Sequence, residues 1–248
     1  MLAALAQAQF DSHGISASDP SIVGWATGVS NLTRGPMNIA NPGLGFASFG
    51  SASNALGAPD GSLGTISLGD GGSITLTFAQ AITNGISNDF AVFENGFVTG
   101  GGVFAELGFV EVSSNGTDFF RFASTSLTQT ATQVGSFAPL DPTKIHNLAG
   151  QFVAFEGTTF DLSELSGISP LLDVNAVTAV RIVDCVGSIN DLYATHDSLG
   201  NKINDPWTTP FASSGFDLDA VGVIHAVPEP ASYAVLALGL AFLVRRRK

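Results

Sequence analysis

The sequence predicts an all-β fold, an antiparallel β-sandwich of jelly-roll type. The 248 residues include 29 glycines and 11 prolines, a composition that favours tight turns over helices. Apolar and polar residues alternate at period two in several short runs, as expected for strands with one buried face. No stretch before residue 231 shows helical periodicity. Residues 9–226 are predicted to form one domain, a size that sandwiches commonly reach.

The first predicted strand covers residues 73–78, where Ile74, Leu76 and Phe78 alternate with polar residues and should face the core. The turn signal Ser114-Asn115-Gly116 predicts a hairpin between two of the later strands. Polar stretches at 41–58 and 124–136 are predicted to be loops. The remaining predicted strands cover residues 89–94, 105–112, 119–122, 151–155, 179–186 and 216–224.

The charge of the chain excludes one class of partner. Residues 228–248 carry four of the nine basic and one of the 21 acidic residues, so the part before them keeps five basic and 20 acidic residues, a net charge of −15. Such a surface repels phosphate, and we expect no nucleic-acid partner. Solubility and binding of divalent cations are the remaining uses of the excess carboxylates.

The sequence contains no signature of a catalytic site. Paired histidines, a Gly-x-Ser-x-Gly motif and a His-Glu-x-x-His motif are all absent. The single cysteine, Cys185, lies in an apolar run and is predicted to be a buried, inert thiol. We therefore expect a protein that is not an enzyme.

Several acidic residues lie where a cation site could form. Strand alternation would place Phe216 and Leu218 on one face and Asp217 and Asp219 on the other, with the two carboxylates about 6–7 Å apart. Oxygen donors near predicted strands and in the polar loop 197–205 could complete a Ca²⁺ site. The other interpretation is that most of these residues cap turns and face solvent. The candidate ligands are Asp89, Glu94, Asn95, Glu106, Asp197, Asp205, Asp217 and Asp219.

Trp207 is a candidate platform for stacking against a sugar ring, because it lies in a polar loop beside the predicted cation region. Filling the core is the other use of a tryptophan here, and the same two interpretations apply to Trp25.

The end of the chain has three consecutive parts. Pro228-Glu229-Pro230 precedes an apolar run at 231–244, which is followed by Arg245, Arg246, Arg247 and Lys248. The run predicts a single short hydrophobic helix of roughly 21 Å, a marginal span for a hydrocarbon core of about 30 Å. The basic cluster places the preceding residues on the outer side of the inner membrane. An ordinary anchoring helix or a buried C-terminal helix is the alternative.

These three parts resemble the PEP-CTERM sorting signal, here assigned to residues 227–248. The resemblance implies that exosortase, a membrane processing enzyme, recognises Pro228-Glu229-Pro230. It also implies transient anchoring in the inner membrane through residues 231–244, followed by transfer to the cell surface or the extracellular matrix.

Residues 1–8 are interpreted as the remnant of a signal peptide. The apolar stretch ends in Ala6-Gln7-Ala8, which fits a signal-peptidase site before Gln9. A basic n-region and most of an apolar h-region are missing, so we expect the true translation start to lie upstream. A short disordered N-terminus is the alternative.

The body of the chain carries a second resemblance. The segments 68–76, 89–97, 104–113 and 215–221 are similar to a group of bacterial cell-surface passengers that occur with PEP-CTERM tails. This resemblance implies a galactose-binding-like sandwich and a surface location, and it assigns no activity.

Together these observations predict an exported surface or matrix protein whose passenger domain binds a polysaccharide or a cation, in association with exopolysaccharide or biofilm. Two alternatives stay open, a secreted polysaccharide hydrolase on the same scaffold and a cell–cell adhesin. The fold class cannot choose among them, because sandwiches carry many unrelated functions.

Overall fold

The computed structural model describes residue 10 and residues 14–61 and 64–228. These residues form short strands and four 3₁₀ helices, the latter at Pro42–Leu44, Ala52–Ala55, Pro142–Lys144 and Leu162–Leu165. The strands are β1 (Ile15–Ser16), β2 (Gly24–Trp25), β3 (Gly28–Thr33), β4 (Ile66–Ser67), β5 (Ser73–Ile82), β6 (Phe90–Glu94), β7 (Phe97–Thr99), β8 (Gly102–Phe104), β9 (Gly108–Ser113), β10 (Phe120–Arg121), β11 (Thr125–Ser126), β12 (Ile145–His146), β13 (Glu156–Phe160), β14 (Val177–Asp184) and β15 (Asp217–Val223).

Two antiparallel sheets contain most of these strands. One has the order β1-β13-β6-β15-β2, with β4 also paired to β15, and the other has the order β10-β9-β14-β5-β3. Two separate ribbons, β7–β8 and β11–β12, lie outside these sheets. The antiparallel all-β character that the sequence predicts is confirmed.

Both sheets contribute to one hydrophobic core, an arrangement typical of a β-sandwich. Phe90 on β6 and Leu218 on β15 belong to it, together with Val180 on β14. On β5, Ile74 and Leu76 are fully buried in the same core, and Phe78 packs against it from a partly buried position. The period-two alternation of this strand therefore has the predicted effect.

The predicted hairpin at Ser114-Asn115-Gly116 is present, since β9 pairs with β10 across it. The prediction of a strand at 151–155 is wrong. Phe155 has a φ of 67°, a left-handed conformation that interrupts an extended strand, and β13 begins only at Glu156. Short edge strands such as β1, β2 and β4 have too few residues to produce a periodic signal and were not predicted.

Several predictions fall outside the described residues. They are the signal-peptide remnant at 1–8, the helix at 231–244, and Glu229, Pro230, Arg245, Arg246 and Arg247 of the sorting motif. None of the helices in residues 14–61 and 64–228 is long and apolar enough to cross a membrane. The last described part of the chain is held by β5, because the Val227 amide donates to the Ala81 carbonyl at 2.8 Å.

Candidate functional site

A cleft of about 450 Å³ lies beside β6 and β15. The β7–β8 hairpin forms one wall, and its two-residue turn Gly100-Gly101 has positive φ at both positions, as a type I′ hairpin requires. The segment after β6 contributes Asn95 and Gly96 to the lining. A volume in this range is usual for a site that binds a small molecule or a sugar unit.

The wall of the cleft is built from four phenylalanine rings. Phe97 and Phe104 stack with their centroids 4.8 Å apart, and Phe137 follows at 5.8 Å from Phe104. Phe211 continues the row at 6.2 Å from Phe137. Three of these side chains are strongly exposed, Phe97 at 46 %, Phe137 at 59 % and Phe211 at 49 %. Contact between water and a contiguous group of apolar rings is unfavourable. Such an exposed group is therefore a candidate binding surface.

The polar lining of the cleft consists mainly of two carboxyl groups. Asp217 lies at the start of β15, where it accepts hydrogen bonds from the Ser67 hydroxyl and from the side chain of Asn95. Glu106 precedes β9, and its Oε1 accepts a hydrogen bond from the Thr209 hydroxyl at 3.0 Å. Both carboxyl side chains are nearly buried and both line the cleft.

Glu94 lies directly behind this lining. Its Oε2 accepts a hydrogen bond from the Gly96 amide at 2.7 Å, and only 1 % of its surface is exposed. Its Oε1 is buried and has no hydrogen-bond partner among the described residues. It is one of seven buried side-chain atoms without a partner among the described residues, and the Asn95 amide also donates to this carboxyl group. A buried polar atom without a partner costs free energy.

Burial raises the pKa of all three carboxyl groups. For Asp217, burial raises the pKa to about 6. The hydrogen bonds from Ser67 and Asn95 and the charge of Arg34 lower this pKa but do not cancel the effect of burial. For Glu94 and Glu106, burial and then the charge of Asp217 raise the pKa well above its usual range. Like charges packed in an apolar surrounding disfavour one another's ionised forms.

A second, enclosed cavity of about 10 Å³ lies next to the cleft, and Glu106 and Thr209 line both. Its size admits about one water molecule. Three further carboxyl groups line it, and backbone amides satisfy each of them in part: Asp70 accepts from Ile39, Asp184 from Gly71 and Phe216, and Asp205 from Leu107. Burial raises the pKa of these three groups as well.

The eight residues predicted as Ca²⁺ ligands fall into separate places. Glu94, Asn95, Glu106 and Asp217 gather at the cleft, while Asp219 accepts hydrogen bonds from the backbone amides of Asp60 and Gly61. Asp205 lies at the enclosed cavity.

Asp89 and Asp197 lie in separate positions away from this group and hold loops. Asp89 accepts from the Leu162 amide at 2.7 Å and pairs with the His225 ring at 2.8 Å. Asp197 accepts from the amides of Ser126, Leu199 and Asn201. Over residues 14–61 and 64–228, no group of three or more His, Cys, Asp or Glu side chains is arranged to hold a metal ion. Ca²⁺ binding therefore stays a prediction.

Trp207, the predicted sugar platform, is partly buried and lines the enclosed cavity rather than the cleft. Its indole Nε1 donates to Asp70 at 3.1 Å. Trp25 packs against Phe93 with ring centroids 5.5 Å apart. The phenylalanine wall was missed. The Gly100-Gly101 pair between two apolar runs was a signal for its hairpin, but sequence gives no sign that these rings stay exposed.

The comparisons with known proteins concern the end of the chain. A family model described as the PEP-CTERM protein-sorting motif matches residues 226–248. No curated protein matches the chain.

Proposed function

We propose that this chain, which its PEP-CTERM motif marks as a secreted, exosortase-sorted surface protein, is a non-catalytic glycan-binding protein. The cleft beside β6 and β15 is the proposed binding site. The observation that carries the proposal is the row of exposed phenylalanines next to the carboxyl groups of Asp217 and Glu106.

This combination matches the chemistry of a sugar. The C–H faces of a pyranose pack on aromatic rings, and its hydroxyls exchange hydrogen bonds with carboxyl and amide groups. Here the rings of Phe97, Phe137 and Phe211 offer the apolar faces, while Asp217 and Asn95 offer the polar partners. An exported surface protein also meets polysaccharide outside the cell, which makes a matrix glycan the proposed ligand.

A secreted polysaccharide hydrolase is the second candidate, because two carboxyl groups share the cleft. Glycosidases use such a pair, with one group protonated as the acid and the other ionised as nucleophile or base. Burial raises the pKa of Asp217 to about 6, so this group is mostly ionised at neutral pH, and it raises the pKa of Glu106 well above its usual range. The row of exposed phenylalanines is the observation that favours binding, and release of reducing ends would reveal hydrolysis.

The finer description of the fold is also a proposal. Two antiparallel sheets that share one core are consistent with a galactose-binding-like jelly roll. A cell–cell adhesin is the third candidate function for the same surface. Binding of the protein to whole cells would distinguish it from a protein that binds the matrix glycan.

The proposal is tested by incubating the full-length chain with exopolysaccharide from the producing cells. We expect retention on the polymer without release of reducing ends. The variant Phe137→Leu should weaken retention about tenfold, since loss of an exposed aromatic face removes roughly 1 kcal/mol or more of contact. Phe46→Leu is the matched control, because Phe46 is also strongly exposed but does not line the cleft.

Shortening of the polymer would replace the binding proposal with the hydrolase. Equal retention of Phe137→Leu and the unchanged chain would remove the cleft as the binding site.

A further inference from the structure

The cleft carries more negative than positive groups. Among the described residues no salt bridge reaches Glu94, Glu106 or Asp217. Arg34 is the cation whose charge acts on Asp217, and its guanidinium already donates to the backbone carbonyls of Phe49, Ser67 and Gly50. The carboxyl groups at the cleft therefore lack a matching positive charge from these side chains.

Glu94 lies behind the lining of the cleft and adds a buried carboxyl group to this charge, although the amides of Gly96 and Asn95 donate to it. Its buried Oε1 has no hydrogen bond, although the residue lies next to Gly96, which lines the cleft. A buried carboxyl group is stable only with a proton, a donor or a cation close by. A positive ligand in the cleft would compensate the charge of the whole group.

The phenylalanine wall selects the same kind of ligand. The faces of aromatic rings carry negative potential and attract ammonium groups within about 6 Å of the ring centroid. Phe97, Phe104 and Phe137 form one row and line the same cleft as Asp217 and Glu106, so one ligand in the cleft could present an ammonium group to rings and carboxyl groups.

The size of the cleft indicates an organic cation. Its 450 Å³ are much more than a bare metal ion needs, and the described side chains form no three-ligand metal group. An amino sugar combines an ammonium group with the C–H faces and hydroxyls that the proposed function requires.

We propose that the glycan bound by this cleft is a polymer of amino sugars with free ammonium groups, with the ammonium placed between the phenylalanine rings and the carboxyl groups of Asp217 and Glu106. This inference rests on the proposed function and narrows it to one class of glycan. Polymers of uronic acids are disfavoured, because their carboxylates would meet those of the cleft.

The test compares three oligosaccharides of equal length on the full-length chain by calorimetry at about pH 7, above the pKa of about 6 of Asp217, so that this carboxyl group is ionised. They are β-1,4-linked glucosamine, its fully N-acetylated form and a uronic-acid oligomer. We expect the glucosamine oligomer to bind about tenfold tighter than the acetylated one, and the uronic-acid oligomer to bind weakest.

Two variants test whether the preference for the glucosamine oligomer depends on Asp217. Asp217→Asn keeps the shape of the side chain and should reduce the preference for the glucosamine oligomer to about twofold. Asp173→Asn removes a charge from an exposed position outside the cleft and should leave the preference unchanged. A preference that survives Asp217→Asn would overturn the proposed position of the ammonium group.

The possible failures can be told apart. Equal binding of the glucosamine and acetylated oligomers, with both weakened by Phe137→Leu, would overturn this inference and leave glycan binding intact. No binding of any oligosaccharide would overturn both. Binding of polylysine without binding of the glucosamine oligomer would overturn the inference in favour of a basic protein partner.

A ligand with a permanent positive charge does not titrate, so any change in its affinity with pH reports the ionisation of the protein. Asp217 interacts with the charges of Glu94 on β6, Glu106 before β9 and Arg34 after β3. Asp219 acts on Glu94, Asp60 lies beside Asp219, and Asp184 and Asp205 act on Glu106. With an N-trimethylated glucosamine oligomer, affinity should rise as the pH increases through about 6, because Asp217 then ionises. A flat profile would contradict a role for this carboxyl group.

Discussion

Two glutamates on neighbouring β-sheets have opposite surroundings, although both are buried in strands. Glu111 on β9 lies between two arginines: Arg121 approaches its Oε1 at 2.8 Å, and the Arg181 Nε donates to its Oε2. Glu94 on β6 has no ion pair among the described residues, and one of its oxygens has no partner.

The comparison shows two ways in which a sheet carries a charged residue. Around Glu111 the chain supplies the counter-charge, and Phe109 and Phe119 support the two guanidinium groups through ring contacts at 4.0 Å. Around Glu94, Glu106 and Asp217 it supplies mainly other carboxyl groups, whose pKa values burial raises. The first arrangement is complete within the chain, and the second is suited to a partner from outside.

The largest expected effect is a loss of stability with rising pH, caused by the carboxyl groups at the cleft. Asp217 has a folded-state pKa of about 6 against 3.8 for an ordinary aspartate, so its contribution is fully present below pH 3.8 and is lost as the pH rises through 6. Two pKa units correspond to about 3 kcal/mol. Glu94 and Glu106 act in the same direction.

Urea denaturation between pH 4 and pH 8 measures this loss. Asp217→Asn should reduce it by about 2–3 kcal/mol. The control Asp173→Asn, at an exposed position, should follow the unchanged chain. A free energy of unfolding that increases over this range would contradict the raised pKa values.

Replacing Glu111 or Glu94 by glutamine gives a smaller change in the free energy of unfolding, and the two variants compare the two glutamates directly. Glu111→Gln leaves Arg181 and Arg121 without their counter-charge and should cost about 1–2 kcal/mol of unfolding free energy, a moderate value because both arginines are partly exposed. Glu94→Gln should cost less than about 0.5 kcal/mol or stabilise the fold, because burial disfavours the charged form of this carboxyl group and glutamine carries no charge.

Chemical denaturation of the two variants at the same pH decides the matter. If Glu94→Gln destabilised the fold more than Glu111→Gln, the carboxyl group of Glu94 would have a stabilising partner, and the contrast between the two sheets would not hold.

The smallest expected effect is that of Ca²⁺. A site with a dissociation constant of about 1 mM would stabilise the fold by about 0.4 kcal/mol in 1 mM CaCl₂. Thermal melting with CaCl₂ and with EDTA measures it, and Asp217→Asn combined with Asp219→Asn should abolish the difference. Identical melting curves of the unchanged chain in both solutions would remove the Ca²⁺ site.

Sequence patterns predicted the long strands well. In β5 the alternation places Ile74 and Leu76 in the core, whereas both faces of β15 are buried, so its alternation did not show that Asp217 and Asp219 would be buried. The patterns failed at 151–155, where Phe155 adopts a left-handed backbone that no composition rule reveals. At the candidate site they identified Glu94, Glu106 and Asp217 as acids in apolar predicted strands, although Glu106 lies just before β9. Asp70, Asp184 and the exposed phenylalanines were missed, because their roles depend on contacts between distant segments.

The end of the described chain has a consequence for processing. Val227 is still hydrogen-bonded to β5, and the next residue, Pro228, is exposed. Three residues span at most about 11 Å. An enzyme that binds Pro228-Glu229-Pro230 must therefore approach within about this distance of the β-sandwich. Bulky side chains introduced around Ala81 would obstruct that approach and slow maturation, while leaving the recognition tripeptide itself untouched.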